Sequence, residues 1–197
     1  SNPSELNLSF DLKSDLFLLP GNLEMHGSIL GNYNTTQKLT ANVMGDIKVN
    51  DQISIENTTV NPKINNGQLI FKGSAKINQT PVTLDMKNSD NNKGKVLVIA
   101  GKNAGKILSG LDVTQLVEGG DVEININFEE NNFNNYDATI DVSKFSVVNA
   151  PILVRLISTL SLTGLLNLLE EKGIYFERGL AKIEKLSLIK ISEPTRL

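Results

Sequence analysis

The sequence contains no cysteine and no tryptophan, and it has a single histidine, His26. Without cysteine it can form no disulfide, offer no thiolate to zinc and supply no thiol nucleophile. Aromatic residues make up 5% of the 197, which leaves few platforms for stacking bases. The formal net charge of -3 and a pI near 5.3 give no basic footprint for a phosphate backbone. No nucleic-acid partner is expected. His26 lies between Glu24 and Ser28, on the polar side of an alternating stretch. One imidazole provides neither the three or four ligands of a zinc site nor a paired nucleophile, so no metal, cofactor or catalytic residue is expected. A clean apolar run is also missing. The nearest approach, Val147–Leu169, has Arg155 near its middle together with Pro151 and Asn167. A central arginine costs about 2.5–3.5 kcal/mol on insertion scales, so this stretch is expected as buried helix rather than a membrane span. Ser1–Phe10 is polar with interleaved apolar residues, unlike a signal peptide, and is expected to begin mid-protein.

What is abundant is asparagine, clustered at Asn61–Asn66, Asn88–Asn92 and Asn131–Asn135. Asparagine is disfavoured inside strands and tolerates turn geometry, so these clusters are expected as loops. The dominant pattern is strict apolar alternation. Leu6, Leu8, Phe10 and Leu12 alternate with polar residues, as do Leu69, Phe71, Gly73, Ala75 and Ile77. Val122, Ile124, Ile126 and Phe128 repeat the pattern, and so do Tyr136, Ala138, Ile140 and Val142. Period two means half-buried strands with one dry face. Weaker runs lie at Leu23–Ile29, Ile47–Ile55 and Val82–Met86. The fold class expected is mainly β, an antiparallel meander with a few short helices.

Two stretches break the alternation. Asn103–Glu118 predicts two short helical turns, one through Ile107, Leu108 and Leu111 and one at Leu116 and Val117, divided at Gly110. Pro151–Lys172 predicts a pair of leucine-rich helices with Pro151 in the first turn and Gly173 at the C-cap.

Val96–Ile107 has the outline of a phosphate-binding loop, an apolar strand entering a glycine loop and a helix. Ala100 stands where the first glycine belongs and Ile107 where the magnesium-binding hydroxyl belongs, so nucleotide binding is not expected. The adjacent pairs Glu129-Glu130 and Glu170-Glu171 lack the opposition across a cleft that glycoside hydrolysis needs and are expected to be solvated.

Three stretches carry a resemblance. Ala100–Ile124 places a short helix, Gly110-Leu111 and a Gly119-Gly120 turn ahead of a strand. In Tyr136–Leu169 a strand ends in Phe145-x-Val-x-Asn-Ala-Pro151 and enters the helix pair, split at Leu162-Thr163-Gly164. Gly173–Glu184 is a return strand with Phe176. In order and spacing these resemble the C-terminal region of AsmA-like envelope proteins of the YhdP type. The resemblance implies an elongated, groove-like or incomplete-barrel sheet that carries phospholipid across the periplasm of a Gram-negative cell, from an inner-membrane anchor toward the outer membrane. It implies a non-enzymatic role, with phospholipid acyl chains, both membranes and other envelope proteins as partners. Residues 1–94 would be a β-repeat region of the groove and 95–185 the AsmA-like C-terminal region. Val122, Ile124, Ile126, Phe128, Ala138, Ile140 and Val142 are the candidate acyl-contacting residues. Leu186–Leu197 resembles a translated sequencing adapter with Lys190 in place of histidine, so residues 186–197 are expected to be non-native. Two other roles fit the alternation: an assembly scaffold for outer-membrane proteins acting through a strand edge, and a secreted adhesin-like β-domain.

Overall fold

The computed structural model describes residues 7–19, 23–34, 38–65, 68–89, 94–129, 132–148 and 173–183. Ten antiparallel strands lie side by side in chain order. They are β1 (Asn7–Leu19), β2 (Leu23–Asn34), β3 (Lys38–Lys48), β4 (Ser54–Asn65) and β5 (Gln68–Ile77). Then come β6 (Thr80–Asn88), β7 (Gly94–Lys102), β8 (Val117–Glu129), β9 (Asn132–Val147) and β10 (Ile174–Ile183). Helix α1 (Ala104–Gly110) interrupts the meander between β7 and β8. Among the described residues β1 and β10 do not pair with each other, so the curved sheet is open. The alternation and the short turns predict the antiparallel meander, and the open form is the one that the family resemblance implies. The predicted helix pair at Pro151–Lys172 and the adapter-like tail lie outside the described residues.

Local kinks bend the sheet along one line. β1 slips register between Ser14 and Phe17, and β4 carries an extra residue between Ile55 and Thr59 against both β3 and β5. Asn57, at the β4 slip, has φ 48, and its N–H donates to Asp46 Oδ1 of β3 at 2.7 Å. Further along the same level, Gly119 and Gly120 of β8 have φ 66 and 79, opposite Lys144 of β9 at φ 55. The β1 and β4 bulges bend their strands and raise the local twist. The Gly120–Lys144 level keeps its register but shifts the inward period of β9. Val142 is buried, Lys144 turns out, and Phe145 takes the next inward place. There its ring stacks on Phe176 of β10, with centroids 5.4 Å apart.

The core gathers on one face, under α1. Ile77, Val82, Leu84, Ile99, Val122, Ile124, Ile140 and Val142 from the strands meet Ala104, Ile107 and Leu108 from the helix. Asn103 sets the helix start. It sits at φ 68, and its side chain accepts from the Lys106 N–H at 3.2 Å. Alanine at 103 loses that cap and keeps a strained φ, at a cost of about 1 kcal/mol, while glycine loses only a few tenths. Urea unfolding of Asn103→Ala beside Asn103→Gly checks the order.

Three sequence expectations are corrected. The second helical turn at Leu116 and Val117 is absent, because Val117 opens β8 and pairs with Val147. The run Ile47–Ile55 is not one strand. Asn50 Oδ1 accepts from the N–H groups of Gln52 and Ile53, both at 2.8 Å, and closes a turn between β3 and β4. The asparagine clusters at 61–66 and 131–135 are largely strand, since Asn61–Asn65 complete β4 and Asn132–Asn135 open β9. Continuation of the strand pairing outweighs the modest cost of asparagine within it.

Candidate functional site

Residues directly opposite in adjacent strands share a face, so the register shows what each face presents. One cross-strand row runs Leu12, Ile29, Val43, Val60, Gly73, Leu84, Ile99, Ile124, Ile140 and Ala181. It is apolar across all ten strands. Two residues further along lies a second row. Phe10 and Gly31 open it on β1 and β2, and Phe71, Met86, Leu97, Ile126, Ala138 and Ile183 continue it from β5 to β10. Between them, β3 and β4 set Ala41 level with Pro62, in the register fixed by Thr40–Lys63 and Val43–Val60. At about 4.8 Å per strand, each row extends roughly 43 Å.

The opposite face is mostly polar. Asp11, Asn42, Lys72, Asp85, Asn125 and Thr139 point that way, interrupted by Leu30 and Val98. Lys72 and Asp85 pair across β5 and β6 at 3.3 Å. On β9 and β10, Arg178 grips Asp141 with two nitrogens, the Nε at 3.0 Å, and holds that carboxyl below the usual aspartate range.

The apolar face is covered unevenly. α1 seals one end, packing on β8, β5 and β9. Asn78 fastens it by donating to the Lys106 carbonyl at 3.3 Å. Away from α1 the cover thins, most of all on β1. Leu12 is 49% exposed and Leu8 52%, though both point to the apolar side. Phe10 lies across β2, where a side chain at Gly31 would run into its ring. An open hollow of about 1100 Å³ crosses β1 to β6 at this level. It is lined by Phe10, Gly31, Ala41, Pro62, Phe71 and Met86 and by the polar residues beside them, Asp11, Lys63, Lys72 and Asp85 among these.

The seven sequence-predicted contact residues all lie on this face and pair across β8 and β9. Val122 faces Val142, Ile124 faces Ile140, and Ile126 faces Ala138. Phe128 faces Tyr136, their rings 5.9 Å apart. Their exposure divides them. Val122, Ile124, Ala138, Ile140 and Val142 are buried in the core, whereas Ile126 and Phe128 are half-buried. The accessible part of the face therefore includes Leu8, Phe10, Leu12 and Phe71, which belong to the dry strand faces that alternation marks but lie outside the seven residues named for contact.

On the apolar side of the far rim, Lys95 is charged. Lys95 of β7 stands between Asn88 of β6 and Phe128 of β8, on the same side as Leu97 and Ile99. Its Nζ donates to Asn88 Oδ1 at 2.6 Å. His26 is exposed on the polar side of β2, as its place in the alternation predicts. Among the described residues no helix is long and apolar enough to cross a membrane, and no three His, Asp or Glu side chains converge.

Comparison with protein-family models, with curated proteins and with solved structures finds no match.

Proposed function

We propose that this chain is a stretch of a hydrophobic conduit for phospholipid, working in the cell envelope between the inner and outer membranes and acting by binding rather than catalysis. One observation supports it above the others: apolar rows that run unbroken over ten strands of an open sheet and stay accessible on β1. A sheet face this apolar normally packs on a second layer. Acyl chains satisfy the same demand, since the hydrophobic effect is non-directional and scales with the area removed from water. The resemblance of Ala100–Glu184 to the AsmA-like C-terminal region points the same way. α1 would then close one end of the lipid path.

Photo-crosslinking tests the reading in cells that express the full-length protein. A photoreactive residue at Leu12 or Ile126 should capture phospholipid, and one at Leu30 or Met44, on the other face, should not. Equal capture from both faces, or none from either, defeats it.

A second reading has its own observation. Among the described residues β1 and β10 each pair on one side only, leaving strand edges on which a scaffold could add a partner strand. Crosslinks from β1 to protein, with no lipid at Leu12, would favour that alternative.

A further inference from the structure

We propose that Lys95 is the headgroup anchor of this face: an amphiphile with an anionic head lays its chain on the apolar rows and sets its anionic oxygens on Lys95 Nζ. The inference deepens the lipid reading and rests on it.

The register makes Lys95 unusual. The inward positions of β7, β8 and β9 otherwise read Leu97, Ile99, Val122, Ile124, Ile126, Phe128, Tyr136, Ala138, Ile140 and Val142. Lys95 is the charged member of that set. A strand position that faces a dry surface is a costly place for an ammonium unless its charge is met. The one described partner, Asn88 Oδ1, is neutral and takes one of three N–H donors. Burial pushes the ammonium below the usual lysine range, and no carboxylate among the described residues acts against that shift.

Position fits the role. Lys95 lies at the start of β7, at the end of the sheet away from α1, beside the half-buried Phe128. The Met86–Leu97–Ile126 row starts two residues further in. An amphiphile bound there keeps its polar end at the rim and its chain on hydrocarbon. Charge-assisted hydrogen bonds to phosphate or carboxylate oxygens are about twice as strong as neutral ones, so the ammonium should add selectivity to contacts that have none of their own.

Fluorescence titration with cis-parinaric acid, ionised at neutral pH, and with its uncharged methyl ester separates head from chain. The native protein should bind the acid about tenfold more tightly than the ester. Lys95→Gln should remove that preference and leave ester affinity unchanged, and Lys95→Arg should keep it. Equal binding of acid and ester by the native protein, or an equal loss of both in Lys95→Gln, overturns the anchor while leaving the apolar face in place. Failure of the native protein to bind either probe overturns the lipid reading itself.

Discussion

Replacing Ile107 with alanine should lower the unfolding free energy by about 3–4 kcal/mol, within the range found for large-to-small changes at buried sites. Ile107 is fully buried, in the one described helix that covers the sheet. Its Cδ1 lies so close to Gly101 of β7 that a Cβ there would stand only 2.7 Å away. Around it sit Ile77, Val82 and Val122, strand residues held in place by the sheet's backbone pairing, so the gap cannot close by collapse. Domains of this kind are stable by about 5–15 kcal/mol, which makes the loss a large share of the whole. Lys106→Ala is the control. Lys106 is exposed on the same helix, and alanine is a good helix former, so that change should stay within about 0.5 kcal/mol. Urea unfolding of both variants measures the difference. A shift below about 1 kcal/mol for Ile107→Ala would mean that α1 is not a structural lid.

The strands legible in the sequence are those whose alternation is unbroken. Leu69–Ile77, Val122–Phe128 and Tyr136–Val142 lie within β5, β8 and β9, with the apolar members inward. Alternation fails where a bulge intervenes. β1 continues to Leu19, yet the slip between Ser14 and Phe17 places Phe17 inward opposite Met25 and leaves Leu16 and Leu18 exposed, so the period disappears from the text. β3 is obscured for another reason. Its inward residues are Ala41, Val43, Gly45 and Ile47, two of them too small to stand out against Asn42 and Met44. The close approach of β2 and β3 needs that smallness, because a side chain at Gly27 or Gly45 would strike the backbone of the facing strand. The apolar face was thus readable as a face. Which part of it stays open was not, because burial depends on where α1 docks, a long-range contact that no local period encodes. Of the seven residues named for lipid contact, Val122, Ile124, Ile140 and Val142 share the core cluster with α1, and Ala138 is buried beside it.

On the proposed lipid reading, Leu12→Asp should reduce the phospholipid recovered with the protein about tenfold, while Leu30→Asp should leave it unaltered. Leu12 and Leu30 sit on neighbouring strands, 49% and 40% exposed, on opposite faces of the sheet. Each substitution removes a half-exposed leucine and adds one negative charge, but Leu30→Asp sets its carboxylate directly opposite Asp11 whereas Leu12→Asp faces Ile29, so the melting temperature should fall more in Leu30→Asp. With lipid present they part the other way. A carboxylate at position 12 would have to shed water against hydrocarbon, which costs more than one acyl contact returns, whereas one at position 30 stays in solvent on the polar face. The comparison holds net charge constant and changes the face, and since the charge repulsion works against Leu30→Asp, lipid lost only from Leu12→Asp cannot be put down to lost stability. Phospholipid recovered with the purified variants, quantified by mass spectrometry against protein, gives the answer. Equal loss in Leu12→Asp and Leu30→Asp would assign the effect to charge alone. Full retention by Leu12→Asp, with its fold intact, would move the lipid path off β1.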